Sequence, residues 1–359
     1  MLKRRKNMKV AVVGTGFMAH THAKAIQSLG HEVSLVVGHS LDSAEHFAGE
    51  FRCGDYTDAL SENSLADIDC VHICTPPEYH YEQVSLCLKA KKHVLCEKPL
   101  SLSAEEAKKL TDMAEASGSI CAVNFNNRFY PSAVQTRDIV KNMGRLLLIH
   151  GHYFQEFHRL PAVYSWRYKE PLRAVSEIGS HLFDQMRFFT GSEVEAVSAV
   201  FQNAFPQRVL RNRWMYPDGE GEKISVSSED AAAVMLRLRG GAIASILLSE
   251  VSPGRSNDLS IEIVSEERSV SWCSEEPYQV ITGEQGKLIT SKNAFSGGFT
   301  STFNDCFAAF YRAVETGERD ERLASFRDAA VNAEIISAVE KSAHSDGAWI
   351  KLKENSHNE

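Results

Sequence analysis

Long apolar runs are missing from this chain: nowhere in its 359 residues does one approach the ~20 needed to cross a bilayer. The basic start, Lys3-Arg4-Arg5-Lys6, leads into Met8 and a strand instead of an apolar signal core, so no export signal is expected. Paired cysteines are missing as well. The eight thiols, at 53, 70, 74, 87, 96, 121, 273 and 306, include no C-x-x-C spacing and make no disulfide framework. Reduced thiols and a cytoplasmic address are the expectation. Basic charge is short too. The net charge is −8, and −12 once the four leading cations are set aside, which argues against a nucleic-acid partner. What is present, 43% apolar and 24% charged residues, is the composition of a folded chain. Its length is too great for one domain of ~100–150 residues and suits two.

The first third alternates short apolar runs with helical periodicity, as a parallel sheet with crossover helices does. Strands are expected at Met8–Val13, Glu32–Val37, Asp69–Cys74, His93–Cys96 and Ile120–Val123. Between them lie helices at Met18–Leu29, which Gly30 ends, at Asp42–Phe51, at Glu78–Ala90, and from the capping box Ser103-Ala104-Glu105-Glu106 to Ser117. Beyond Asn124 the strands lengthen and alternate. Leu146–Phe157, Val194–Ala204, Ala231–Leu238, Ala242–Glu250, Leu259–Val264 and Val270–Cys273 read as one antiparallel sheet, with helices at Pro131–Asn142, Ile178–Phe189, Thr302–Glu315 and Arg327–Ala343. The fold class is α/β: a doubly wound parallel sheet over residues 8–124, then a second α/β domain over 125–352 with an open, mostly antiparallel sheet. Residues 1–7 are expected as a disordered start and 353–359 as a tail.

Three segments carry chemistry. Gly14-Thr15-Gly16-Phe17-Met18-Ala19 turns the first strand into the first helix. The first Gly permits a tight turn, the second a close pyrophosphate, and Ala the packing of helix on strand, with phosphates at the helix N-terminus. The acid expected ~20 residues on, for the ribose 2′-hydroxyl, is absent. Gly38-His39-Ser40 stands there, and His39 and Ser40 can donate to a 2′-phosphate or merely start the helix. The expected cofactor is therefore NAD(P)(H), with a slight lean to NADP. Thr75-Pro76-Pro77-Glu78-Tyr79-His80 and Cys96-Glu97-Lys98-Pro99 each follow a parallel strand, at the sheet end where such folds bind ligands. Cys70, His72 and Cys74 share one face of a strand by period 2. They read as packed core in preference to a metal set drawn from one short segment, and no metal is expected.

In that order these motifs resemble the glucose–fructose oxidoreductase, inositol dehydrogenase and rhizopine-catabolism (Gfo/Idh/MocA) family. The resemblance continues through Asn124-Phe125-Asn126-Asn127-Arg128-Phe129, Trp166-Arg167, Glu177-Ile178-Gly179-Ser180-His181-Leu182-Phe183-Asp184 and Phe326-Arg327-Asp328. It implies a pyrophosphate loop at Gly14–Ala19, with His39 and Ser40 at the adenosine ribose. It also implies cofactor contacts from Thr75, Pro76, His80, Glu97, Lys98, Asn126, Trp166 and Arg167. Lys98 and His181 become the proton-handling pair, both touching substrate. Each contact has a plainer alternative: His80 as a helix start, Trp166 as core, Arg167 as a surface ion pair. The chain departs from the family in having Glu177 where many members have Asp, so the orientation of His181 by this carboxylate is an open point. It also has Arg173-Ala174-Val175-Ser176 where a Gly-Gly-Gly stretch is common. Arg173 either enters the substrate pocket, where its fork suits a hydroxyl-rich or acidic ligand, or is a solvated helix-entry charge.

The chemistry is coherent by itself. Oxidising a secondary alcohol needs a base for the hydroxyl proton and a cation facing the developing alkoxide. A neutral-range His181 and a Lys98 can supply these. The expected activity is hydride transfer between a nicotinamide cofactor and a secondary alcohol or ketone of a sugar or polyol. The rivals are a redox-neutral, nicotinamide-dependent glycosidase and a non-catalytic dinucleotide sensor. Substrate choice is expected in loops around Tyr153–Arg173 and Gln207–Glu222, and the apolar strands of the second domain point to a homodimer or homotetramer.

Overall fold

The computed structural model describes residues 7–169, 172–295 and 297–353. Most of the expected start and tail therefore lies outside the described residues. The chain runs β1 (Lys9–Val13), α1 (Phe17–Ser28), β2 (Glu32–Val37), α2 (Leu41–Phe51), β3 (Tyr56–Thr57), β4 (Cys70–Ile73), α3 (His80–Lys89), β5 (His93–Cys96), α4 (Ala104–Ser117) and β6 (Cys121–Val123). It continues α5 (Pro131–Val140), β7 (Leu146–Phe154), β8 (Ala162–Val163), α6 (Ser180–Thr190), β9 (Val194–Gln202), β10 (Gln207–Arg211), β11 (Trp214–Tyr216) and β12 (Glu222–Ser225). It closes with β13 (Ala231–Leu238), β14 (Ile243–Ser249), β15 (Asp258–Ser265), β16 (Ser269–Cys273), β17 (Gln279–Glu284), β18 (Lys287–Lys292), α7 (Phe299–Thr316), α8 (Phe326–Ala343) and β19 (Ile350–Lys351).

The described residues divide into two compact units, residues 7–129 with 297–333, and residues 130–169 and 172–295 with 334–353. In the first, six parallel strands take the order β3-β2-β1-β4-β5-β6, the doubly wound arrangement. Period 2 sorts the side chains of β1 and β4 between two cores. Val10, Val12, Cys70 and Cys74 face α1, α2 and the Phe303, Phe307 and Phe310 stripe of α7. Ala11, Val13, Val71 and Ile73 face α3, α4 and the first turns of α8. Cys70, His72 and Cys74 thus lie on one packed face, with His72 ringed by His22, Phe307 and Tyr311. Segment 297–333, expected with the second domain, instead completes the first, because α7 covers a sheet face that α1 and α2 leave partly bare.

In the second unit, a nine-stranded sheet runs β18-β17-β16-β15-β7-β14-β13-β9-β19. The sheet is mostly antiparallel, as expected, with one parallel pair: β7 and β14 run side by side, Ile243 beside Leu148 through Ser249 beside Phe154. They are distant in sequence, and the pairing places β7 between β14 and β15. Helices α5 and α6 lie on this sheet; Trp272 of β16 donates its indole N–H to Ser132 Oγ of α5 at 2.9 Å. A correction concerns Gln207–Glu222. The segment is no simple loop but supplies β10, β11 and the start of β12 in a small sheet ordered β12-β10-β11-β8.

Candidate functional site

The N-terminus of α1 is shaped by its two glycines. Gly14 holds φ +109° and donates its N–H to Val37 O at 2.8 Å, pinning the loop to the end of β2. A Cβ on Gly14 would sit 2.9 Å from the Cys74 carbonyl oxygen, so only glycine allows the two loops to pass. Gly16 caps α1 with no side chain, no acid occupies the first turn, and nothing lies within 4 Å of where its Cβ would be. The first turn of α1 therefore carries neither a side-chain cap nor an acid. Thr15 and Met18 are partly exposed, Phe17 is 80% exposed, and Ala19 packs against the sheet. At the end of β2, His39 is exposed, and Ser40 caps α2 by accepting the Ser43 N–H. Ser40 does start the helix.

The loops after β4 and β5 are fastened to each other. Thr75 Oγ1 donates to Gln83 Oε1 at 2.6 Å, and Pro76 is partly exposed before the turn into α3. His80 is a correction. Its ring is fully buried, 2.8 Å from both the Thr75 and Pro99 carbonyl oxygens, so it clamps the two motif loops instead of meeting a cofactor. Burial pushes its pKa down, against the pull of those carbonyls. Asn126 is corrected likewise: it is buried and donates its amide to Thr302 Oγ1 at 2.7 Å, anchoring α7. Glu97 accepts from His22 Nε2 at 2.8 Å and Asn124 Nδ2 at 2.7 Å on Oε1, and from the Lys98 N–H at 3.3 Å on Oε2. Burial by itself would raise the Glu97 carboxyl, but these hydrogen bonds and the Lys98 charge hold it below the usual carboxylate value. Lys98 itself is partly exposed and precedes a cis Pro99.

In the second unit, a π-helical turn at Val175–Gly179 carries Glu177 and runs into α6, whose second residue is His181. Such turns are frequent at functional sites. Gly179 lets the turn approach the sheet, since a Cβ there would meet Leu248 Cδ1 at 2.8 Å. His181 is partly exposed, with the Tyr153 ring 6.3 Å away. Trp166 and Arg167 sit in a short 3-10 turn, the guanidinium 4.6 Å from the Trp166 ring centre. Arg167 Nε donates to Glu177 Oε2 at 2.9 Å, so it does form an ion pair, and the expected orienting acid is itself oriented. Arg173 overturns both the pocket reading and the solvated-charge reading. It is fully buried, paired with Asp230 and with Glu250 at 2.8 Å, while Glu229 accepts the Arg173 and Val175 N–H groups. Such a guanidinium holds the fold around the π turn and has no fork to offer a ligand. Burial and the Glu177 charge push Glu250 up to about 8, against the pull of Arg173. Sequence reasoning missed these acids and His22. The Glu229-Asp230 pair just before an apolar strand, and a His three residues after the glycine motif, were the available signals.

Comparison with known proteins matches residues 8–125 to the oxidoreductase family with an NAD-binding Rossmann fold, and residues 135–271 to the GFO/IDH/MocA C-terminal domain. The chain belongs to the Gfo/Idh/MocA family. This member is 28% identical over 289 residues to levoglucosan dehydrogenase of Pseudarthrobacter phenanthrenivorans, covering 74% of this chain and 73% of that one. It is 26% identical over 339 residues to inositol 2-dehydrogenase of Pseudarthrobacter chlorophenolicus, covering 92% and 88%. A solved levoglucosan dehydrogenase complexed with NADH and L-sorbose superposes with TM-score 0.89 at 25% identity, covering 98% of this chain and all of that one. The Gfo/Idh/MocA chain is accordingly an NAD-binding oxidoreductase, and its two family segments fall in the parallel and the mostly antiparallel sheet. No helix among its described residues is long and apolar enough to cross a membrane.

Proposed function

We propose that this protein is a dehydrogenase acting on a secondary alcohol of a sugar or polyol, in either direction, with Lys98 and His181 handling the proton. The observation that carries the reading is the pairing of an open, glycine-lined helix N-terminus with an ionised, buried Glu97 that fixes the Lys98 main chain. The relatives support the substrate class, being named for levoglucosan and inositol. Gly14, Thr15, Gly16 and the first turn of α1 hold the pyrophosphate, and Glu97 and Lys98 border the nicotinamide half. When bound, the nicotinamide accepts or returns the hydride. His181 takes the hydroxyl proton through a ring nitrogen, and the Lys98 ammonium stabilises the oxygen as charge grows on it. Glu177 and Arg167 set the His181 surroundings as a pair.

NADP is tolerated beside NAD, through the exposed His39 and the hydroxyl of Ser40. The second unit supports a homodimer or homotetramer. Val200, Met235, Ile243, Leu247 and Leu148, on adjacent strands β9, β13, β14 and β7, are each at least 40% exposed on a sheet whose alternate residues are buried. A monomer by light scattering would refute that assembly. Eight thiols, six of them buried and none in a disulfide, support the cytoplasmic address. The deciding experiment screens sugars, polyols and aryl glycosides with each cofactor, following reduced nicotinamide and released aglycone together. Sugar-dependent reduction is the expected result. Aglycone release without net reduction would overturn it in favour of a glycosidase, and binding of NADH with neither signal in favour of a sensor.

A further inference from the structure

Glu97, in the loop after β5, is the end of a buried chain of side chains drawn from three elements. His22 Nε2 of α1 lies 2.8 Å from Glu97 Oε1, and His22 Nδ1 lies 2.9 Å from His72 Nδ1 of β4. His72 Nε2 in turn lies 2.8 Å from the Tyr311 hydroxyl of α7. Both imidazoles are wholly buried and Tyr311 nearly so.

Donor and acceptor roles follow from the tyrosine end. Among the described residues the Tyr311 hydroxyl bonds to His72 Nε2, and a buried O–H without an acceptor is costly, so Tyr311 donates. His72 then carries its proton on Nδ1 and donates it to His22 Nδ1. His22 carries its own on Nε2 and donates it to Glu97. Each ring donates once and accepts once, so both are neutral, and the carboxylate is the one charge in the chain. Burial acts in the same sense on His72, pushing its pKa well below that of ordinary imidazole. A chain of this kind either conducts a proton or fixes a charge. Conduction toward Glu97 would leave a buried phenolate, and burial holds Tyr311 well above an ordinary phenol. Fixing the charge is what remains.

We propose that Tyr311, His72 and His22 form a one-directional hydrogen-bond relay that holds the Glu97 carboxylate and, through the Lys98 N–H that it accepts, positions Lys98 for hydride transfer. The three are positioning residues, and their role rests on the reading of Lys98 as a proton-handling group. The other titratable groups facing Glu97 are Cys74, His80, Cys96, Lys98 and Cys306. Burial raises the three thiols and lowers His80, so the relay, the Asn124 amide and Lys98 set the state of the carboxylate.

Tyr311→Phe keeps the ring and deletes the donor that sets the direction. Its kcat should fall about fivefold, the worth of one ordinary hydrogen bond, with both KM values within about twofold. The acid limb of kcat should rise by about 0.7 pH unit, the same factor felt by the carboxyl. In a Glu97→Gln background, Tyr311→Phe should change kcat less than about twofold, because the relay then has no charge to hold. Independently of activity, ¹⁵N-histidine spectra of the full-length protein should show His72 protonated on Nδ1 and His22 on Nε2, assigned with His72→Gln and His22→Gln. Equal losses in the two backgrounds, an unmoved acid limb, or His72 protonated on Nε2 would each overturn the relay. If wild type shows the stated tautomers but no sugar-dependent turnover, the dehydrogenase reading fails, and the positioning role of the relay fails with it.

Discussion

Alanine substitution at Gly14 and at Gly16 should separate the folding role of the glycine loop from its ligand role. At Gly14 the added Cβ meets the Cys74 carbonyl oxygen at 2.9 Å, its carbon at 3.0 Å and the Thr75 nitrogen at 3.2 Å. These are main-chain atoms at a strand end and cannot rotate aside. The left-handed backbone costs about 1–3 kcal/mol and the forced separation of packed chain a further ~1–3 kcal/mol. Against a typical stability of about 5–15 kcal/mol this is a large loss. At about 2–4 °C per kcal/mol, Gly14→Ala should lower Tm by roughly 5–20 °C. At Gly16 the backbone has φ −85°, and nothing lies within 4 Å of the added atom. Gly16→Ala should therefore melt within about 2 °C of wild type, as exposed substitutions usually do. Its methyl group nonetheless occupies the space proposed for the pyrophosphate, so NADH affinity should fall at least about tenfold. Calorimetry without cofactor and fluorescence titration with NADH measure the two effects. A Gly16→Ala variant that binds NADH as wild type does, or a Gly14→Ala variant that melts as wild type does, would refute the reasoning.

Lys98→Met and His181→Ala should each depress single-turnover hydride transfer by roughly two orders of magnitude or more, with cofactor affinity little changed; near-normal transfer in Lys98→Met would move the chemistry elsewhere. Ser40→Asp should shift preference away from NADP without loss of stability, because Asp caps α2 as well as Ser does; kcat/KM with both cofactors checks it, and an unchanged ratio removes the ribose assignment. Burial and the charges of Arg173, Arg208 and Arg167 drive His158 down to about 2. The unfolded chain takes up this proton near pH ~6.5 and the native chain does not, so stability falls as pH drops below that value, by up to ~1.4 kcal/mol per unit. His158→Phe should flatten the decline of Tm between about pH 6.5 and 5, and an unaltered slope would count against the placement.

Local pattern alone determined much of this protein. Buried runs such as Met8–Val13 and His93–Cys96 can only be strands covered on both faces, and the caps Ser40 and Ser103 and the stop Gly30 mark helix ends by chemistry confined to a few residues. The glycine loop and the Cys70, His72 and Cys74 face were legible for the same reason: turn geometry and period 2 are local. Tertiary structure decided what those faces meet. An apolar stripe on α7 announces burial but not its partner, and only the folded chain shows it closing the first unit. The period of β7 and β14 is the same for either direction of pairing, so their parallel register was invisible. Arg173, His80 and Asn126 had the residue types of a binding site, yet each is turned inward. Their partners include Asp230 and Glu250, 57 and 77 residues from Arg173, and Thr302, 176 residues from Asn126. A sequence states that a polar group buried on folding must be paired; which distant group does the pairing is fixed only when the chain closes.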